Sequence, residues 1–207
     1  MTIGPFYDGQ VSDADSVGVE STRRRLKKKQ ADTVERLTKV AIDVLARTGY
    51  DALTVRIVAA EAGVGTATAY TYFSSKEHLI AEAFWRRLAQ TPPPDHAQDA
   101  DRVTRTVATL RQIALLLGDE PEMANAVTTA LLGGDPDVEH LRLRIGAEMR
   151  RRLVDALGPE ADPDLVESLE LLYSGALLRA GMGYASYAEI ADRMETTARM
   201  LFAACAV

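Results

Sequence analysis

Apolar residues recur at intervals of three and four along almost the whole chain, and no run alternates with period two over strand length. That periodicity builds helices and rules out a sheet as the framework. In "ADTVERLTKVAIDVLARTGY", Val34, Leu37, Val40, Ala41, Val44 and Leu45 form one stripe, which Gly49 ends as a C-cap. Thr54 is placed to cap a short helix reaching Glu61 or Ala62, Gly63 turns the chain, and another short helix spans about Thr66 to Tyr72. Ser74 and Glu77 have the capping-box spacing, so a further helix starts there and runs through Trp85 to about Ala89. "TPPPDHAQDA" cannot continue it and marks a domain boundary. Beyond it Val103, Val107, Leu110, Ala114 and Leu117 make a new stripe, and Asp135-Pro136 and Asp162-Pro163 open two long helices. The expected fold class is all-α with about nine helices.

Charge divides the chain differently from its total. The 207 residues sum to a net charge of -6, which alone argues against a nucleic-acid partner, and 47% apolar residues are enough for a real core. Residues 1–20 carry -4 and residues 91–207 carry -8, but residues 21–90 carry +6, with 13 Lys plus Arg against 7 Asp plus Glu. Local field, not total charge, draws a polyanion, so the two parts are expected to have different partners. Three regions follow: 1–20 a flexible acidic tail, 21–90 a basic arm with the short helices and a connecting helix, and 91–207 an acidic helical remainder.

Several function classes fall away. Cys205 is the single cysteine, so no internal disulfide forms; a reducing, cytoplasmic setting fits. No apolar run approaches the roughly 18 to 20 residues of a membrane span, and the start of the chain has neither the basic nor the apolar region of a signal peptide. His78, His96 and His140 show no metal spacing and read as structural or solvated. The glycines of "GVGTAT" follow a helix rather than a strand, so they do not make a dinucleotide loop. No nucleophile, base and orienting group stand together, and no catalytic residue or cofactor is assigned.

Two short helices hinged at a glycine and laid on a longer one form the arrangement that sets its second member into a major groove. In "GTATAYTY" the small Ala67 and Ala69 allow close backbone approach, while Thr66, Thr68, Thr71, Tyr70 and Tyr72 offer hydroxyls to phosphates and base edges. At helical spacing one of the two tyrosines is expected to be partly buried. The helix carries no Lys or Arg, so affinity must come from Lys76 in the next first turn and from Arg23, Arg24, Arg25, Lys27, Lys28 and Lys29, an arm placed to follow the backbone or enter the minor groove.

Residues of about 33 to 80 resemble the DNA-binding domain of the tetracycline-repressor (TetR) family of bacterial transcription regulators. The likeness rests on "LTVRIVAAEAGVGTATAYTYFSSKEHL", with Thr54, Ile57, Ala59, Ala62, Gly63, Val64, Thr68, Tyr70, Tyr72, Phe73, Lys76 and Leu79 in matching places. The resemblance implies that Thr68 and Tyr70 contact DNA, Tyr72 ends the recognition helix, Lys76 holds a phosphate and Phe73 packs inside. It also implies a C-terminal domain that binds a small molecule and dimerises. Gly65, Thr66, Ala67, Ala69 and Thr71 depart from the commoner residues of the family, which leaves the operator sequence unread and moves affinity toward the arm.

The second domain is less legible. Phe84 and Trp85, the stripe with Leu110, Ile113 and Leu117, and Met123, Val127, Met149 and Tyr173 are candidates to line an apolar cavity between helices, with packed core as the alternative. Arg142, Arg144, Arg150, Arg151 and Arg152 span several faces; most must meet solvent, and an anionic ligand group is the competing reading. "LLYSGALLRAGMGYA" and "ARMLFAAC" are rich in small residues that permit close helix approach, which suits a homodimer through the last two helices. The expected function is a homodimeric regulator, foremost a repressor, that binds a near-palindromic double-stranded DNA operator and is released by a small, mainly apolar effector. A regulator without ligand response, or a helical enzyme that merely retains the motif, are the alternatives.

Overall fold

The computed structural model describes residues 28–95 and 100–204. Within them nine helices follow one another: α1 (Lys28–Ala52), α2 (Val55–Glu61), α3 (Thr66–Tyr72), α4 (Lys76–Gln90), α5 (Arg102–Leu115), α6 (Pro121–Leu132), α7 (Pro136–Leu157), α8 (Pro163–Gly181) and α9 (Tyr187–Ala204). There are no strands among the described residues. The acidic segment 1–20, the arm residues Arg23, Arg24, Arg25 and Lys27, and His96 and Cys205 lie outside them.

The N-terminal helices form where the stripe and caps put them. Val34, Leu37, Ala41, Val44 and Leu45 are all buried, and α1 breaks at Gly49, whose φ of 74° is left-handed, before one last turn to Ala52. Thr54 caps α2 by accepting from the Ile57 amide at 3.2 Å. One expectation needs correcting: Ser75, not Ser74, caps α4, accepting from the His78 amide at 2.9 Å. Glu77 is therefore not the partner of a capping box; its carboxylate instead accepts from the Tyr50 hydroxyl at 2.8 Å. That carboxylate and burial, the larger cause, push the Tyr50 hydroxyl well above its ordinary range.

Two apolar cores share the chain. The first begins under the helix-turn-helix with Val34, Leu53, Val58 and Phe73, and runs on through α4 into α6 and α7 as far as Met149. The second gathers α5, α7, α8 and α9 around Leu110, Leu153, Leu169, Ile190 and Met194. Helices α5 and α7 give residues to both cores, and α4 lies within the first. Every side chain from His78 to Arg86 is buried, including the ion pair in which Arg86 Nε donates to Glu82 Oε1 at 2.9 Å. Asp101, Asp135 and Asp162 cap α5, α7 and α8, each through its own carboxylate, and no helix among the described residues is long and apolar enough to cross a membrane.

Burial pushes the Glu82 carboxyl from its ordinary value near 4.5 to about 7, against the pull of the Arg86 and Arg144 guanidiniums. The folded chain thus holds this proton more tightly than the unfolded one. Its contribution to stability is complete below pH of about 4.5 and is lost as pH climbs through about 7. Urea denaturation is expected to show Glu82→Gln, which cannot ionise, with a flatter fall in stability across that window than the wild type; an unchanged slope would place the dependence elsewhere. A second expectation concerns the turn. Gly63 has φ 62° and open space where a Cβ would stand, so Gly63→Ala should cost about 1 kcal/mol through backbone strain alone. Gly146→Ala, in the interior of α7 with equally open space, should gain about 0.5 to 1 kcal/mol in the same denaturation experiment.

Candidate DNA interface and effector cavity

Helix α3 is held by one small residue. Ala69 is fully buried against the support helices, and the Val64 amide donates to the Ala59 carbonyl at 2.9 Å across the turn, fixing α3 against α2. Thr66, Ala67, Thr68, Tyr70 and Thr71 stand exposed, Tyr70 at 46%, while Tyr72 is half-buried against the first core. The two tyrosines thus divide as their spacing suggests, with Tyr70 outward. Thr71 spends its hydroxyl proton on the Ala67 carbonyl at 3.0 Å, leaving lone pairs outward.

Charge near this face is sparse and specific. The Lys76 ammonium donates to the Tyr50 carbonyl at 2.9 Å and sits 4.0 Å from the centroid of the Tyr50 ring, so it is anchored at the start of α4 with one face still half-exposed. Lys28 and Lys29 open α1, and Lys29 is exposed. Arg56, not singled out in the sequence, is exposed on α2; its place on the outward face opposite Val55, Val58 and Ala59 was the signal. Arg47 is neutralised by Glu61 at 2.5 Å.

The segment following α3 is tied to the other domain. The Ser75 hydroxyl, which caps α4, also donates to Asp135, and Asp135 caps α7 by accepting from the Asp137 amide at 2.8 Å. Beside it the Ser74 hydroxyl donates to Asp137 at 2.5 Å. His78, fully buried, lies 3.3 Å from the Ser74 hydroxyl through Nδ1 and packs edge-on against Phe73. The N-termini of α4 and α7 are therefore capped by one shared hydrogen-bond network.

Between α4, α5, α6, α7 and α8 lies a cavity of about 270 Å³. Its floor is apolar and buried: Phe84, Ile113, Leu117, Val127, Ile145 and Met149. Half-buried Tyr173, Leu177 and Tyr187 line its side, and exposed Leu132, Arg142 and Ser174 its mouth. The Tyr187 hydroxyl bonds to Thr128, and burial pushes it above its ordinary range. Thr128 in turn lies against Gly181, where a Cβ would overlap its side chain, so α6 and α8 meet closely beside the cavity. Of the residues singled out from the sequence, the cavity brings together Phe84, Ile113, Leu117, Val127, Met149 and Tyr173. Trp85, Leu110 and Met123 are buried elsewhere; Trp85 lies under the Arg144 guanidinium, 4.5 Å from its ring centroid. Adjacent residues on α4 point about 100° apart, so Phe84 reaches the cavity and Trp85 does not. A more polar hollow of about 320 Å³ under Pro92–Pro94 has its charges already paired, Arg152 with Glu148 at 2.7 Å and Arg151 with Asp155 at 2.6 Å.

Residues 37–83 match the family described as bacterial regulatory proteins, tetR family. An uncharacterised HTH-type transcriptional regulator of Mycobacterium tuberculosis is 46% identical over 169 residues, covering 81% of this chain and 79% of the relative. The HTH-type transcriptional repressor KstR of Rhodococcus jostii is 23% identical over 181 residues, 83% of this chain and 84% of its own. Among solved structures, a TetR transcriptional regulator from Rhodococcus superposes with a TM-score of 0.67 at 20% identity, over 82% of this chain and 97% of that one. The regulator FadR from Bacillus subtilis, in complex with stearoyl-CoA, gives 0.56 at 15% identity, over 78% and 95%; both likenesses concern the fold. With the helix-turn-helix geometry, these relationships place the chain in the TetR family of bacterial transcription regulators, DNA-binding proteins and not enzymes.

Proposed function

We propose that the protein is a homodimeric repressor that leaves its operator when a small, mainly apolar effector enters the cavity above α4. The observation that carries this reading is the shared capping network: the α6–α7 turn, whose flanking helices wall the cavity, is hydrogen-bonded to Ser74 and Ser75, directly after the recognition helix. An effector that separates α6 from α7 acts on both ends of that network. The coupling is reciprocal, so effector and operator weaken each other's binding by the same factor. KstR's description as a repressor and the stearoyl-CoA held by FadR on the same fold support an apolar effector and a repressing role.

On the DNA side, Thr66, Ala67, Thr68, Tyr70 and Thr71 enter the major groove, with Tyr72 closing the helix. Thr54, Arg56 and Lys76 meet phosphates, and Arg23, Arg24, Arg25, Lys27, Lys28 and Lys29 extend along the backbone or into the minor groove. A single helix-turn-helix covers too little DNA for a regulator's specificity; two, related by a twofold axis, read a palindrome with half-sites roughly 34 to 36 Å apart. The last two helices supply a surface for that axis. Leu171 at 70% exposure, Met182 and, on α9, Met200 at 67% stand in water together with the small Gly175 and Ala203.

The reading is tested by binding to labelled DNA from upstream of the protein's own gene at two salt concentrations. Thr68→Val and Tyr70→Phe are each expected to weaken binding about tenfold, the worth of one or two hydrogen bonds, with the dimer intact by sedimentation. Removing residues 23–29 should lower the slope of log affinity against log salt by roughly 0.9 for each phosphate that the arm neutralises. Unchanged affinity in these variants would remove the assigned contacts. The shared caps generate a separate expectation. Ser74→Ala and Asp137→Ala sever one link, so the double variant should change operator affinity no more than the stronger single one; additive effects would show that this bridge does not transmit between the domains.

A further inference from the structure

The cavity has a direction. Its floor offers an effector no charge and no unpaired hydroxyl, whereas its mouth carries the one charged side chain that lines it, Arg142. The other arginines of α7 are engaged. Arg150 pairs with Glu170 at 2.5 Å, Arg151 with Asp155 at 2.6 Å and Arg152 with Glu148 at 2.7 Å, while Arg144 lies over Trp85. Arg142 instead donates only to the Gly133 carbonyl, at a long 3.2 Å, and no carboxylate among the described residues pairs with it. A guanidinium at the rim of an apolar hollow is a fork of donors matched to a planar oxyanion, and a carboxylate gives it two charge-assisted bonds in place of one long neutral one.

We infer that the effector is an anionic amphiphile, a carboxylate on an apolar chain, which enters chain first and docks its head on Arg142. This rests on the effector reading above and gives it a chemical class. A volume of about 270 Å³ lies just under the usual roughly 300–1,000 Å³ of small-molecule sites, so one medium-length chain fills it. Docking also supplies a trigger. Gly133 ends α6, two residues before Asp135, and a carboxylate that takes the Arg142 fork frees the turn that Asp135 fastens to Ser75.

The probes are decanoate, the neutral decanol and the cationic decylamine, titrated calorimetrically into wild type, Arg142→Gln and Val127→Trp, with folding checked by circular dichroism. Arg142 is exposed, so its replacement leaves the core untouched. The expected result is a preference of about tenfold or more for decanoate over decanol in the wild type. Arg142→Gln should abolish that preference with decanol unchanged, and decylamine should bind most weakly. Equal binding of decanoate and decanol, or a preference that survives Arg142→Gln, overturns the assignment. So does failure of decanoate to bind. A neutral apolar dye, Nile red, separates the two levels: uptake that Val127→Trp blocks, with no preference for the anion, leaves the effector reading standing. No uptake of dye or probe by the wild type removes both.

Discussion

Helix α4 is buried on every side over most of its length, and the remaining architecture is arranged around that fact. An amphipathic helix of a small domain ordinarily keeps a polar face in water. From His78 to Arg86, α4 keeps none, because α1 covers one side and α6 and α7 the other. The cost of that burial is visible in its ionisable groups: Arg86 Nε donates to Glu82 Oε1 one turn away while Glu82 Oε2 and Arg86 Nη2 stay buried without a partner among the described residues, and His78 Nδ1 meets the Ser74 hydroxyl. The gain is that the DNA-binding helices and the cavity share one continuous apolar core. A helix-turn-helix joined to its regulatory domain by an exposed linker could move independently; here the first core runs unbroken from Val34 to Met149.

Much of this was legible in the residues, because helical periodicity and cap chemistry are local. The stripe of α1, the Thr54 cap, the Gly63 turn and the two Asp-Pro starts depend on neighbours a few residues away, and the structure has them where the pattern put them. The cap of α4 shows where local reading runs out. Ser74 and Ser75 are adjacent hydroxyls, either able to cap, and each is bonded to a carboxylate some sixty residues later in the chain, Ser74 to Asp137 and Ser75 to Asp135, which no local pattern announces. The same holds for the α3 face: spacing alone offered both tyrosines, and it is the burial of Ala69 that turns Tyr70 outward and Tyr72 partly in.

The cavity was the least legible part for the same reason. A buried apolar side chain lines a void or fills one according to how three or four helices cross, and no single-helix stripe encodes the crossing. Ile113, Leu117, Val127, Met149 and Tyr173 reach the cavity, but Leu110, one turn from Ile113 on the same stripe, belongs to the second core instead. Thr128 and Tyr187 gave no signal of their own. Their place depends on Gly181, whose missing side chain lets α8 lie against α6.

The shared caps carry a consequence for how such a chain can be recombined. Because Ser75 and Asp135 each cap the start of a helix and bind one another, the α6–α7 turn is no free connector: lengthening it by one residue would pull Asp135 off Ser75 and unfasten the two helix starts from each other, although each residue still caps its own helix. A chimera that transplants the helices after α4 onto another helix-turn-helix must therefore carry Ser74, Ser75, Asp135 and Asp137 as one cassette. Cutting at the proline-rich segment after α4, where the chain looks most divisible, keeps that cassette split between the two donors.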